Sequence, residues 1–258
     1  MMISQPSVAD FRSDPVSRGS LRAQVTARLV AGIFAQDLRS GQRLVVQNLA
    51  KAYEVSPTPV RESLVELASL GLVDLLPNRG AIVRPFGPQD VSEISQVRRV
   101  METEAARCAC GRIPPAELSE LESELRRLET LPRDQVWDRD VRAADTRLHG
   151  LIAERSGSVR LAAEIRRYLI LFQALRDVCH LRDALTNYSR ADDVTEHLAI
   201  VRSLIESDAE GAALAMDRHI RAVAVVLEEV IFPDRDSEVF GAVESSSRPP
   251  TPMTGPGR

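Results

Sequence analysis

The alternation of apolar and polar positions divides the first third of the chain into helical and strand-like segments. Apolar residues recur every three or four positions in three segments, which predicts helices at residues 21–37, 46–53 and 57–71. Two short apolar runs then flank Pro77-Asn78-Arg79-Gly80, a strong turn signal, which predicts strands at residues 72–76 and 81–84. Three helices followed by a two-stranded ribbon is the order of a winged helix-turn-helix, which we place at residues 18–85.

The third of these helices begins unusually, with prolines at positions 57 and 59. Ser56 is a good N-cap, and the first-turn N–H groups of a helix have no intrahelical partner, so both prolines are tolerated there. The helix start is therefore stiff, and it places Thr58 and Arg61 where an anion such as a phosphate can bind. From this stretch alone, a well-capped core helix remains the alternative.

Beyond residue 85 the pattern is purely helical. Residues 86–89 are predicted to be a linker, and helices are predicted at residues 90–110, 115–131, 134–156, 159–188, 192–207 and 208–231. Six such helices predict an antiparallel bundle at residues 90–232, so the fold class is mostly α. The tails, residues 1–17 and 233–258, are polar or rich in Ser, Pro and Gly, and we expect them to be disordered.

Charge is unevenly distributed between the two predicted domains. Residues 17–85 hold nine basic and five acidic side chains, a net charge of +4, whereas residues 86–258 hold 23 and 30, a net charge of −7. This asymmetry indicates a small basic module joined to an acidic partner domain. The chain has three cysteines without a CxxC pair, no secretory signal and no apolar run of membrane-spanning length, which favours the reducing cytoplasm.

Three of the four histidines occur on predicted apolar faces of the bundle. Asp145 and His149 are four residues apart, hence on one face of one helix, and His197 and His219 lie on apolar stripes of two further helices. Each could be a core histidine with its hydrogen bonds satisfied. Together they could equally hold a divalent metal, because an acid and three imidazoles are suitable ligands.

Arg98 interrupts another apolar stripe, formed by Val91, Ile94, Met101, Ala105 and Cys108. A guanidinium on a buried face needs an anionic partner. One interpretation is an internal salt bridge, for example to a glutamate on another helix. The other is a carboxylate ligand held beside the metal.

Several motifs occur along the chain in an order that resembles the GntR superfamily of bacterial transcription regulators, in the FadR branch with an FCD ligand-binding domain. The resemblance covers about residues 19–231. It rests on LAKAYEVSPTPVRESLVELASLGLVDLLPNRGAIV in the first domain, and on VRRVMETEAAR, DTRLHGLIAERSGS and TEHLAIVRSLIESDAEGAALAMDRHI in the second. Six bundle helices resemble the shorter, VanR-like branch.

The resemblance implies a role for each matching residue. It implies that the metal ligands are Asp145, His149, His197 and His219, that Arg98 clamps the effector, and that the DNA contacts are Ser56, Thr58, Arg61, Arg79 and Gly80. The metal would be zinc, with nickel or manganese as alternatives. Pro57 departs from the family, where arginine is frequent, and this leaves the operator sequence open.

These features together predict a metabolite-responsive regulator, expected to be a repressor, that binds an inverted-repeat operator as a homodimer. A small organic acid would be its effector. The first alternative is a metal-dependent hydrolase with a DNA-binding appendage. It would need a general base, and Glu196, although adjacent to a ligand, is expected to point elsewhere. The second alternative is a structural DNA-packing protein, which an acidic second domain disfavours.

Overall fold

The computed structural model describes residues 18–77, 79–181 and 190–232. The predicted disordered tails, Asn78 in the predicted turn and the end of the helix predicted at residues 159–188 lie outside the described residues. The chain divides into two compact units, Met1–Phe86 and Gly87–Arg258, each of which is described by itself.

Over residues 18–77 and 79–86, the first unit contains three helices and a small antiparallel sheet. Its elements are α1 (Arg18–Phe34), β1 (Arg43–Leu44), α2 (Val46–Ala52), α3 (Pro57–Ser69), β2 (Val73–Leu76) and β3 (Gly80–Val83). The strand order is β1-β3-β2, with Leu44 opposite Ala81 and Val73 opposite Val83. The sequence predicted β2 and β3 but not β1, because a strand of two residues has no periodic pattern to recognise.

Helix α3 is held against α1 by an apolar contact and a polar one. Leu29 on α1 and Leu64 and Leu67 on α3 are buried. Beside them the Thr26 hydroxyl lies 3.1 Å from Ser63 Oγ and 2.9 Å from Glu66 Oε2. Hydrogen bonds have directional requirements that apolar contacts lack, so this pair of contacts fixes the rotation of α3.

The second unit is all helical in the part that the structure describes. Its helices are α4 (Pro88–Ala109), α5 (Pro115–Thr130), α6 (Gln135–Arg155), α7 (Val159–Leu181), α8 (Arg190–Ile205) and α9 (Ala209–Ile231). The leucine stripe of α5, for example Leu121 and Leu125, and the apolar face of α6 around Leu148 form much of the core. None of the described helices has the length and apolarity that crossing a membrane requires.

Helix α4 begins inside the segment that was predicted to be a linker. It starts at Pro88, and the Gly87 N–H donates to Asp90 Oδ2 over 2.8 Å. A proline at the first helical position followed by an acid at the third stabilises a helix start, which is why the linker prediction for residues 86–89 extended too far. Asp134 and Asp208 are the N-cap residues that precede α6 and α9, and their side chains accept from backbone N–H groups of those helices.

Candidate metal centre and DNA-contacting face

The four predicted metal ligands come together inside the second unit. Asp145 and His149 lie on α6, His197 on α8 and His219 on α9, and all four are buried. One ligand atom from each lies within 4.8 Å of the others. The i, i+4 spacing on α6 places two of them on one helical face, and packing against α8 and α9 brings the other two to that face.

The separations between these atoms fit a bound divalent metal. Asp145 Oδ1 is 3.6 Å from His149 Nε2 and 3.5 Å from His197 Nε2, and the Nε2 atoms of His197 and His219 are 3.3 Å apart. Two ligands that each lie about 2.1 Å from a zinc ion at the tetrahedral angle are about 3.4 Å apart. The donor set of three imidazole nitrogens and one carboxylate oxygen is also one that zinc, nickel and manganese accept.

Two glutamates contact the outer nitrogens of the histidines. Glu102 Oε2 lies against His149 Nδ1, and Glu196 Oε2 lies 2.9 Å from His219 Nδ1. A neutral histidine that donates its Nδ1 proton to a carboxylate keeps Nε2 free as a metal ligand. The expectation that Glu196 points elsewhere is therefore wrong, because its side chain reaches across from α8 to α9.

Arg176 on α7 joins two buried carboxylates. Its Nη1 donates to Asp145 Oδ1 over 2.7 Å, and its Nη2 donates to Asp193 Oδ2 over 2.5 Å. Asp193 lies on α8, one turn before His197, and is buried. Neither Arg176 nor Asp193 was predicted from the sequence, although Asp193 and His197 repeat the i, i+4 spacing of Asp145 and His149.

The electrostatics of the cluster keep its acids charged and His219 neutral. Burial raises the pKa of Asp145, but the neighbouring Arg176 guanidinium outweighs burial and holds that pKa well below its ordinary value. The pKa of Asp193 is lowered too, against burial and chiefly by Arg176. Burial lowers the pKa of His219 well below its ordinary range, and His197 lowers it further. Charged carboxylates and neutral imidazoles are the forms that bind metal.

Arg98 lies on α4 beside this cluster and is fully buried. Its Nε donates to Glu102 Oε1 on the same helix, and its Nη2 is 3.4 Å from His149 Nδ1. The guanidinium stacks on Phe172, with Cζ 3.6 Å from the ring centroid. Within the described part of the chain, its Nη1 has no hydrogen-bond partner.

The internal salt bridge considered for Arg98 therefore exists, but its partner lies on the same helix. The apolar stripe predicted around Arg98 does not match the buried face of α4. The buried positions of this helix include Ser95, Glu102 and Ala109, whereas Ile94 and Met101 are only partly buried. The i, i+4 relation between Arg98 and Glu102 was the signal that could have identified the pair.

The predicted DNA-contacting residues of the first unit lie around the start of α3 and the tip of the β2–β3 hairpin. Ser56, Thr58 and Arg61 are exposed, and Ser56 is the N-cap residue, although its side chain makes no capping hydrogen bond. A groove of about 620 Å³ is lined by Arg61 together with Arg79 and Gly80. The structure thus places the basic side chains of α3 and of the hairpin on one groove.

Gly80 and Arg43 shape the hairpin tip. Gly80 has φ +90°, and a Cβ at this position would lie 1.9 Å from the Leu44 carbonyl oxygen, so only glycine allows β1 and β3 to approach this closely. The Arg43 Nε and Nη2 both donate to the Arg79 carbonyl over 3.4 Å. Arg43 was not predicted as part of this surface, because its role depends on the unpredicted strand β1.

Two known protein families match this chain, one in each unit. The FCD domain family matches residues 93–222, and the family described as bacterial regulatory proteins, gntR family, matches residues 21–83. This chain is a member of the GntR family and carries an FCD domain. The family assignment makes it a DNA-binding transcription regulator, which confirms the predicted class. The names of the families and of the relatives point to a regulator and not to the hydrolase alternative.

Individual GntR relatives agree with this assignment. The regulator McbR of Escherichia coli K12 is 33% identical over 110 residues, which cover 43% of this chain and 50% of McbR, so this match spans half of that relative. An uncharacterised regulator of Streptomyces ambofaciens is 28% identical over 81% of this chain and 86% of its own length. The Escherichia coli repressor RspR is 23% identical over 74% of this chain and 81% of RspR.

A solved structure shows the same fold. The chain of Escherichia coli McbR/YncC superposes with a TM-score of 0.63 at 23% identity, covering 81% of this chain and 98% of that one. The mostly helical fold class with an N-terminal winged helix-turn-helix is thereby confirmed. The assignment to the VanR-like branch stays a prediction.

Proposed function

We propose that this GntR-family chain is a cytoplasmic, metabolite-responsive repressor that binds a short inverted-repeat operator as a homodimer. We further propose that a small carboxylate, bound beside a divalent metal in the FCD domain, controls its affinity for DNA. The observation that carries the effector proposal is the convergence of one nitrogen from each of three histidines and a carboxylate oxygen of Asp145 next to a buried arginine.

The DNA-binding part of the proposal relies on the groove between α3 and the β2–β3 hairpin. Arg61 is exposed two residues after Pro59, on a helix whose start is fixed by prolines, so its guanidinium is well placed to pair with guanine or phosphate in the major groove. Arg79 would enter the adjacent minor groove. A dimer with two-fold symmetry binds two half-sites that are related by the same symmetry, so we expect an inverted-repeat operator. RspR, a relative named as a repressor, favours repression.

Asp145, His149, His197 and His219 would hold the metal, with zinc as the first candidate and nickel or manganese as alternatives. When bound there, a divalent metal supplies a Lewis-acidic position at which a carboxylate oxygen can bind. Glu102 and Glu196 hold the outer nitrogens of His149 and His219, which orients both rings before any ligand arrives.

The charge balance of the cluster favours an anionic effector. Its charges are the guanidinium of Arg98, which is fully buried, that of Arg176, which is 12% exposed, and the buried carboxylates of Glu102, Asp145 and Asp193, while His219 is held neutral. Glu196 is left out of this count because its side chain is 28% exposed to solvent. With a divalent metal added, this buried set would change from one excess negative charge to one excess positive charge. A small carboxylate would offset that excess, and the low polarity of a buried site makes such an offset valuable.

Arg98 provides the second contact for the effector. Its Nε is committed to Glu102, but its Nη1 is a buried donor that has no partner among the described residues. A buried donor without an acceptor costs about 1–3 kcal/mol, and a bound carboxylate would remove that cost. Control of DNA affinity additionally requires that the effector bind two dimer geometries unequally.

A gel-shift titration of the full-length protein on the DNA upstream of its own and neighbouring genes tests the proposal. A panel of small carboxylic acids is first screened by thermal shift with added Zn²⁺ and with a chelator. We expect at least one acid to raise the melting temperature only with metal, and the same acid to change the DNA affinity at fixed salt. A panel that stabilises equally with metal and with chelator would contradict the metal-linked effector, and absence of any footprint would contradict sequence-specific DNA binding.

A further inference from the structure

Asp193 has a buried carboxylate oxygen that the described residues do not satisfy. Its Oδ2 accepts from Arg176, but its Oδ1 has no hydrogen-bond partner in the described ranges. This Oδ1 lies 3.6 Å from His219 Nδ1 and 4.0 Å from His197 Nε2. Asp193 is only 1% exposed, so water is a poor substitute for a missing partner.

The neighbouring histidines do not supply the missing donor. A neutral imidazole has one N–H, and His219 Nδ1 is closer to Glu196 Oε2, at 2.9 Å, than to Asp193. His197 Nε2 faces His219 Nε2 and Asp145 Oδ1, in the arrangement that directs it to a metal. Asp193 Oδ1 is therefore a buried anionic atom beside ligand nitrogens, and a cation is the partner that it lacks.

We propose that Asp193 is a further ligand of the metal centre, through Oδ1, so that the centre has three imidazole nitrogens and two carboxylate oxygens. This inference rests on the proposed metal site. Two ligands that each lie about 2.1 Å from a cation can be separated by up to about 4.2 Å, so the 4.0 Å to His197 Nε2 is within reach of a shared ion.

The pattern along the chain agrees with this role. Asp193 and His197 on α8 repeat the spacing of Asp145 and His149 on α6, and a single guanidinium, that of Arg176, holds both aspartates. In the structure Asp193 groups with Glu196 and His219, so joining the other ligands requires a small movement of its carboxylate toward them. Five protein ligands favour nickel, manganese or cobalt over a four-coordinate zinc site.

Cobalt titration of the full-length protein and its Asp193→Asn variant tests the inference. Asparagine keeps an amide oxygen for Arg176 and puts an NH₂ group, which does not bind metal, in the place of Oδ1. We expect the Co²⁺ affinity to fall by about tenfold or more and the visible d–d bands to change in position and intensity. Asp192→Asn, at the exposed neighbouring position, is the control and should leave both unchanged.

The outcomes separate this inference from the metal site itself. Wild-type protein that binds no Co²⁺, Zn²⁺, Ni²⁺ or Mn²⁺ overturns the proposed metal site and this inference with it. Wild-type binding combined with an Asp193→Asn spectrum identical to wild type overturns the inference alone, whether or not the affinity falls. If the variant does not fold, the wild-type Co²⁺ spectrum decides, because the intense bands of a four-coordinate centre are incompatible with five protein ligands.

Discussion

Replacing Arg98 by methionine should destabilise the FCD domain strongly, because it removes the guanidinium from a buried ion pair. Arg98 and Glu102 are 0% and 1% exposed, and Arg98 Nε donates to Glu102 Oε1. Methionine preserves most of the length and apolar packing against Phe172, so the main loss is the charge. Removing one partner of a buried pair costs about 3–5 kcal/mol, since the other charge remains buried and unpaired.

The pKa of Glu102 shows that its charged form is stabilised in the folded state. Burial raises the pKa of Glu102, but the opposing effects of Arg98 and His149 are larger, and together they bring this pKa from its ordinary value of 4.5 down to about 2. At 1.36 kcal/mol per pKa unit, the charged form is favoured by about 3 kcal/mol in the folded state. Because the folded-state pKa is depressed, this stabilisation is present above pH 4.5 and is lost as the pH falls toward 2. The wild-type advantage over Arg98→Met should therefore shrink in acid.

The single tryptophan makes the measurement specific to this domain. Trp137 is buried in the second unit, and its Nε1 donates to the Leu128 carbonyl, so its fluorescence reports the unfolding of that unit. Urea unfolding of metal-free protein at pH 7 should give a loss of about 3–5 kcal/mol for Arg98→Met. Arg99→Met is the matched control, because Arg99 makes a more exposed pair with Asp217 that should contribute at most about 1 kcal/mol.

A double variant distinguishes a paired charge from lost packing. Adding Glu102→Gln to Arg98→Met removes the stranded carboxylate and should recover at least about 1 kcal/mol relative to Arg98→Met, as expected for contacting residues. An Arg98→Met variant within about 1 kcal/mol of wild type, or a double variant that loses the sum of both single losses, would refute the pairing argument. The recovered double variant should still bind the effector more weakly by about 1.5–3 kcal/mol, because the charged donor is absent.

Three further predictions concern the other functional residues. Arg61→Ala should weaken operator binding by about 1–3 kcal/mol in a gel shift at fixed salt, with unchanged melting; unaltered affinity would count against a base or phosphate contact. Gly80→Ala should weaken DNA binding and lower the melting temperature of the first unit, since its Cβ would lie 1.9 Å from the Leu44 carbonyl oxygen in addition to the strain of a positive φ. Gly41→Ala, with φ +76° and no atom within 4 Å, has the strain without the clash and should lose less; equal effects would remove the clash as the reason. His219→Ala should lower bound metal, measured by elemental analysis, and abolish the metal-dependent rise in melting temperature, and variant and wild type with the same metal content would argue against the site.

The elements predicted correctly are those whose signals are local. The apolar spacing of α1 and α3, the prolines that begin α3 and the turn before Gly80 are properties of neighbouring residues, and each element lies within a few residues of its predicted position. Strand β1 could not be predicted in this way. Its two residues form a strand only because Arg43 lies opposite Ile82, 39 positions later, and that pairing depends on the folded unit.

The same distinction holds for the candidate site. Asp145 and His149 were recognised from their spacing, and Asp193 and His197 offered the same signal. The role of Arg176 had no local signal, because an arginine on a helix finds its acids through packing of three helices. Which residues share a buried site is a property of tertiary structure, whereas which residues share a helical face is a property of sequence.

The stability of the FCD domain and its response to ligands follow from the same buried atoms. Arg98 Nη1, Asp193 Oδ1 and His197 Nδ1 lack hydrogen-bond partners among the described residues, and all three side chains meet at the His/Asp cluster. An unsatisfied buried polar group costs about 1–3 kcal/mol, so a core optimised for stability alone would not retain three of them in one place. A metal that contacts Asp193 Oδ1, or a carboxylate that contacts Arg98 Nη1, binds the folded state only and adds about 2.7 kcal/mol of stability at a concentration 100 times its Kd. The unsatisfied polar groups of the cluster thus lower the free energy of unfolding of the FCD domain. Ligand binding raises that free energy again, so the occupancy of the site and the stability of the domain are coupled.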